Sequence, residues 1–417
     1  MYKIKFALII SSIVILFFAL SSCKSSDQEI KTGIWRATLK TSSAAEIPFN
    51  FELIDSAGDK RIIIINGEER FRVDEISITA DSVFIQMPLF ESEIRAENKG
   101  GVLKGRWIRH LEDTDAVMDF EARAGDDWRF FKANENPGSN MTGRWSTTFT
   151  SIDSADTTIA IGEFRQVNGR LTGTFLTTTG DYRFLEGTVS DDKLYLSCFE
   201  GENAYLFTGN LLNDSTIVDG KFYSGLNGIQ NWNASKDENA ILPDAYSLTA
   251  LKKGFNKIEF TFPALDGRKV SLSDEKFNNK VVLVQFLGSW CPNCMDETAY
   301  LVPFYNKYKS KGVEIIGLAY ERTKDFERAK KNIGRLRDRF NVPYDMLVTG
   351  FTNDKAEVAK SLPMLNNFAA FPTLLIIDKK GIVRKIHTGF KGPGTGKHFT
   401  EFVQDFEKSI DDLLAEN

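Results

Sequence analysis

Cysteine is scarce in this chain, with four in 417 residues, and histidine is scarcer, with three. Four cysteines over that length exclude a disulfide-stapled scaffold. His110, His387 and His398 are not spaced as a ligand pair, and only one Cys-x-x-Cys pair is present, so no four-ligand zinc set forms and no metal is expected. Long basic runs are also missing. With a formal net charge of −5, nothing resembles a nucleic-acid footprint, and no nucleic-acid partner is expected. After the first twenty residues no apolar run is long enough to span a membrane. What remains is an ordinary globular composition, 42% hydrophobic and 26% charged, in a chain too long for one core; two or three domains are expected.

The N-terminus reads as a targeting segment. Lys3 and Lys5 precede an apolar run from Phe6 to Leu20, which closes on Leu20-Ser21-Ser22-Cys23. That pattern resembles a bacterial lipobox: a signal peptide over 1–22, then lipidation of Cys23 and a polar tether over 23–31. The alternative is an ordinary signal peptide with an incidental cysteine. The lipidated reading places the mature chain outside the cytoplasm, facing the periplasm, held on a membrane by its lipid and not crossing it.

Residues 32–235 read as strands. Short alternating runs such as Ile76-Ser77-Ile78 and Val83-Phe84-Ile85 are punctuated by Gly, Asn and Asp, as in an antiparallel meander, barrel or sandwich. The region is also duplicated. Thr32-Gly33-Ile34-Trp35 recurs as Thr142-Gly143-Arg144-Trp145, the hairpin at 76–87 recurs at 186–198, and Gly105-Arg106-Trp107-Ile108 recurs as Gly220-Lys221-Phe222-Tyr223. The expectation is an all-β region of two repeats, 32–135 and 136–235, paired in one barrel or standing as two sheets. Its tryptophans fill a core, and no cluster of His, Cys or paired acids points to chemistry. Cys198 answers Met87 and reads as a small buried hydrophobe.

A connector over 236–256 leads to a different pattern over 257–417. Continuous apolar runs at Val281–Val284, Val313–Leu318, Thr373–Ile377 and Ile382–Ile386 read as buried strands. Helical stretches over Pro292–Lys309, Asp325–Phe340, Lys355–Leu362 and Lys397–Ala415 separate or follow them, which makes an α/β domain. In the second of these, Phe326, Ala329, Ile333, Leu336 and Phe340 fall on one face, so its many Lys and Arg form the solvated side. The stretch 389–399, GFKGPGTGKHF, lacks Walker spacing and reads as a flexible loop before the last helix.

The chemistry concentrates in Trp290-Cys291-Pro292-Asn293-Cys294. A purely structural disulfide here would close so short a loop that it would stabilise little. A redox couple explains the placement. The pair follows a buried strand and opens a helix, where unpaired N–H groups and the helix dipole favour a thiolate. Cys291 is then the exposed nucleophile and Cys294 the shielded resolving thiol. Pro292 suits the first helical turn.

The stretch 281–294, VVLVQFLGSWCPNC, with Phe371-Pro372-Thr373 before a later strand, resembles the thioredoxin superfamily. The whole of 257–417 is similar to the membrane-anchored, extracytoplasmic TlpA/ResA-like thiol–disulfide oxidoreductases, a redoxin-type domain, and includes an N-terminal hairpin, FTFPALDGRKVSL. The resemblance implies a thioredoxin fold, a cis-proline at Pro372 facing the disulfide, and a groove for substrate lined by Trp290, Pro292, Phe371, Pro372 and Thr373. It implies catalytic Cys291 and Cys294, a tuning carboxyl at Glu297, and no cofactor. Partners follow from it: protein thiols and disulfides, including oxidised apocytochrome c, and a membrane electron donor of the DsbD/CcdA type. Gln285 stands where cytoplasmic thioredoxins carry a buried aspartate, so any proton shuttling falls to Glu297. Two other readings stay open. One is a peroxidase of the redoxin type, against which Gly288 stands where peroxiredoxins place a threonine. The other is a ligand- or partner-binding lipoprotein whose β region does the work.

Overall fold

The computed structural model describes residues 30–79, 81–132, 139–154 and 156–416. The signal peptide over 1–22 and the lipidation at Cys23 lie outside the described residues. Among the described residues no helix is long and apolar enough to cross a membrane.

The alternation in the first half becomes two separate antiparallel sheets with the same strand order. In the first, the order is Glu69–Val73, Asp59–Asn66, Glu46–Ser56, Gly33–Lys40, Asp115–Ala124, Val102–His110, Ser92–Asn98, Ser82–Gln86, Ile76–Ile78. In the second, Gly143–Ser151 pairs with both Thr157–Val167 and Gly228–Lys236, and Arg170–Thr177 pairs with both Thr157–Val167 and Leu185–Ser190. The ring therefore closes as an eight-stranded up-and-down barrel, while the first sheet stays open between its two edge strands. Period-two alternation sends one face of each strand inward. In Gly33–Lys40, Trp35, Ala37 and Leu39 are all fully buried.

The duplication extends to single hydrogen bonds. The Trp35 indole donates to the Lys31 carbonyl and the Trp145 indole to the Met141 carbonyl, each at 2.9 Å and four residues back. Gly33 and Gly143 both adopt the left-handed φ region, at +100° and +129°, which a side chain would oppose. The barrel interior is packed with rings: Phe207 stacks on Phe222 at 4.3 Å, and Phe149, Phe175 and Trp232 fill the rest. Each such fully buried side chain contributes about 1.5–3 kcal/mol. Cys198 is fully buried in this layer, and burial raises its thiol well above the ordinary range.

The second half is a thioredoxin-like α/β fold. Its five-stranded sheet runs Asp345–Thr352, Val313–Glu321, Val281–Leu287, Thr373–Ile377, Val383–Thr388. The first three strands are parallel, the fourth runs antiparallel to the third, and the fifth antiparallel to the fourth. All seven residues of the central strand are buried, as its apolar run, broken only by Gln285, requires. Four helices cover it: α1 (Pro292–Tyr308), α2 (Phe326–Phe340), α3 (Lys355–Ser361) and α4 (Lys397–Ala415). Ala329, Ile333 and Leu336 of α2 are buried, with Phe326 and Phe340 half-buried beside them. The strand Asp345–Thr352 was not expected. Its apolar run is short and ends at Thr349-Gly350, and it is an edge strand of the sheet. Within the connector, Ala250–Leu251 pairs with Leu365–Asn366.

Candidate active site

The strand Val281–Leu287 delivers the chain to Gly288-Ser289-Trp290, and α1 begins immediately afterwards. Ser289 fixes this corner: its backbone N–H and its hydroxyl both donate, at 2.7 Å, to the buried carboxylate of Glu321. The Trp290 indole donates to the Tyr320 carbonyl at 2.9 Å and stands edge-on to Phe371, with ring centres 5.4 Å apart. It also lies over Gly288, where any side chain would collide with the ring. A threonine could not occupy that position without moving Trp290. The guanidinium of Arg322 sits 5.3 Å from the indole centre, a cation–π contact.

Cys291 is the N-cap of α1 and Pro292 its first residue. Cys291 and Cys294 are joined as a disulfide, and the Cys291 sulfur accepts the Cys294 backbone N–H at 3.2 Å. That N–H is one of the donors a helix start leaves unpaired. The Phe371–Pro372 peptide is cis, and the Pro372 carbonyl accepts the Gly389 N–H at 2.8 Å. The Thr373 hydroxyl donates to the Ala370 carbonyl at 2.7 Å, which holds the loop before its strand.

Glu297 lies one turn beyond Cys294 and is fully buried. Its one hydrogen-bonding neighbour is Gln285, whose amide donates to it at 2.9 Å. The same amide donates to the Thr298 hydroxyl, which donates in turn to the Cys294 carbonyl at 2.8 Å. Burial pushes the Glu297 carboxyl up to about 8, and the Gln285 hydrogen bond only partly opposes this. With no cation opposite it among the described residues, Glu297 holds a proton at neutral pH.

Cys291 is not the exposed thiol expected from the sequence; it is 5% exposed. The β region covers it. A tight hairpin turn of the second repeat, Thr178–Thr179 with the strand Gly180–Asp181 and the two residues after it, lies against the start of α1. The Asn293 amide donates to the Asp181 carbonyl at 3.2 Å, and the Arg183 guanidinium donates to the Pro292 carbonyl at 3.2 Å. Arg183, itself 4% exposed, also pairs with Asp296 of α1 and with Glu69 of the first repeat. Burial pushes Asp296 up to about 7, and the guanidinium pulls the other way. The 389–399 stretch is no free loop either: its Gly392 N–H donates to the Asp181 carboxylate at 2.7 Å. On the far side Glu202 takes Arg322 at 2.6 Å and Arg109 of the first repeat at 3.5 Å. Between these walls a cavity of about 260 Å³ remains, with Cys291, Trp290 and Phe371 on one side and Tyr182, Glu200 and Tyr205 on the other. Burial raises Glu200 to about 8.

The structure thus gathers Trp290, Cys291, Pro292 and Phe371 at one cavity, sets Pro372 and Thr373 beside it, and puts Cys294 and Glu297 beneath it. The sequence reading missed Asp181, Arg183, Glu202 and Arg322. It found no acid cluster in the repeats because their partners on the redox domain lie more than a hundred positions away in the chain, and no local pattern marks them.

The family described as Redoxin matches residues 252–401. The chain is 31% identical over 174 residues to the thiol–disulfide oxidoreductase ResA of Bacillus cereus, covering 39% of this chain and 90% of that protein. It is 32% identical over 145 residues to ResA of Bacillus thuringiensis, covering 35% and 73%. Among solved structures, a thiol–disulfide oxidoreductase from Bacteroides fragilis aligns over 36% of this chain and 99% of its own, with 19% identity and a TM-score of 0.28.

Proposed function

The chain belongs, through its C-terminal α/β domain, to the ResA thiol–disulfide oxidoreductases, and we propose that it works as a protein disulfide reductase on the outer side of a bacterial membrane. The observation that carries this reading is the Cys291 sulfur capping α1 and accepting the Cys294 N–H. When the pair is reduced, the same N–H and the positive end of the helix dipole favour the Cys291 thiolate.

The Cys291 thiolate attacks one sulfur of a substrate disulfide and forms a mixed disulfide, and the other substrate sulfur leaves as a thiolate. Cys294 then attacks the Cys291 sulfur, which restores the Cys291–Cys294 disulfide and releases the second substrate thiol. Glu297, buried one turn beyond Cys294 with its carboxyl raised to about 8, is the expected proton partner of Cys294: its ionised fraction takes up the thiol proton as Cys294 attacks. Trp290, Pro292, Phe371, Pro372 and Thr373 shape the surface beside the sulfurs. Membrane donors of the DsbD/CcdA type are the expected source of electrons, and oxidised polypeptides such as apocytochrome c the expected acceptors. The lipobox-like sequence ending at Cys23 supports attachment to the membrane by lipid.

A thiol-trapping redox titration of the mature chain tests the direction. A two-electron couple at Cys291/Cys294 near or below about −250 mV is expected, and one near about −120 mV would reverse the assignment to an oxidant. Cys291→Ser is expected to abolish disulfide reduction in the same preparation.

A further inference from the structure

Resting on the thiol-exchange reading, we propose that the second β repeat gates substrate access: its hairpin turn at 178–183 holds polypeptide disulfides off Cys291 until it lifts, while the cavity beside it admits small ones in the seated state. Four contacts seat the turn on the redox domain. Asp181 receives Asn293 through its carbonyl and Gly392 through its carboxylate, and Arg183 holds the Pro292 carbonyl and the Asp296 carboxylate. Thr179 lies against Gly389, whose N–H is bonded to the Pro372 carbonyl. The turn therefore bridges the start of α1 and the loop next to Pro372, and these surfaces flank the disulfide. A polypeptide approaching Cys291 along them meets the turn first.

What the turn leaves is the cavity of about 260 Å³ that Cys291 itself lines. This is smaller than the roughly 300–1,000 Å³ of a drug-sized ligand site. A disulfide of a few heavy atoms on each sulfur fits; a folded or extended chain does not. Reduced Cys291 attacks such a disulfide, R–S–S–R. A Cys291–S–S–R bond forms, R–S⁻ leaves and takes a proton, and Cys294 displaces the second R–S⁻ as the Cys291–Cys294 bond closes. Two electrons pass from the dithiol to the small disulfide. A polypeptide follows the same steps only from the fraction of molecules in which the turn has lifted.

The test uses the whole mature chain, reduced and freed of reductant, with hydroxyethyl disulfide and insulin as probes. Two variants unseat the turn where it meets the 392–394 stretch, one by removing a bond and one by adding bulk. Asp181→Ala removes the bond to Gly392. Gly394→Val places a side chain against the Arg183 backbone, which lies 2.9 Å from where its Cβ would stand. The expected result is a rise of about tenfold or more in the insulin rate for either variant, with the hydroxyethyl disulfide rate changed by less than about threefold, because only the insulin rate scales with the open fraction. Insulin rates equal in the wild type and both variants would overturn the proposal, as would parallel rises with both probes. Absence of reaction with hydroxyethyl disulfide in every form would instead sink the thiol-exchange reading on which it rests.

Discussion

On the inner side of α1, Glu297 meets only the Gln285 amide, whereas on the outer side its neighbour Asp296 meets the guanidinium of Arg183, which the barrel delivers. Both carboxyls are buried, and burial raises both. The inner one has no cation beside it among the described residues, so it keeps its proton. The outer one faces a fixed positive charge, so it suits holding two parts of the molecule together. Consecutive buried carboxyls of one helix thus sit in opposite electrostatic settings, and the neighbour across each face makes the difference.

The largest expected effect comes from removing the outer cation. Arg183→Met leaves Asp296 and Glu69 buried without their partner and is expected to destabilise the fold by about 3–5 kcal/mol, read from urea unfolding at pH 8. An unchanged midpoint would erase the contrast between the two faces. Next is the inner carboxyl. Folded Glu297 keeps its proton to about pH 8, whereas its ordinary value is 4.5. Between those values the folded state binds more protons than the unfolded one, so this group makes stability fall as pH rises. Glu297→Gln is expected to flatten that slope by about 1.4 kcal/mol per pH unit across the window. Unfolding curves of both proteins from pH 5 to 8 measure it, and identical slopes would mean the carboxyl is ionised throughout. The smallest effect is expected from Asn293→Ala, which removes one hydrogen bond to the Asp181 carbonyl and is expected to cost about 0.5–1.5 kcal/mol in the same unfolding assay.

Much of this architecture was readable in the chain, for identifiable reasons. The buried strand Val281–Leu287 betrays itself by the continuous apolar run Val281–Val284, and the redox pair by two cysteines behind it at a helix start. The duplication showed because each repeat needs a left-handed glycine two residues before a buried tryptophan. Barrel closure was not readable, because it depends on Arg170–Thr177 pairing on both edges, and the first sheet has similar alternation yet stays open. Nor was the burial of Cys291, since Asp181 and Arg183 look like any polar turn until the fold carries them 112 and 109 residues along the chain to Asn293 and Pro292. Glu297 could be singled out by position, but its protonation follows from the absence of a cation around it, which no spacing encodes.

The connector described above has one more consequence. On the barrel side the Ala240 carbonyl is held by Arg144 at 2.9 Å, and on the redox side the Ala245 carbonyl is held by the Thr388 N–H at 3.1 Å. With both anchors in place, five Cα steps separate them, a leash of about 17 Å at full stretch. A turn lifted from its seat cannot diffuse away; it stays at an effective concentration on the order of millimolar beside Cys291. Any polypeptide substrate competes with that local concentration, so its own affinity for the redox face, and not collision frequency alone, sets how often Cys291 is reached.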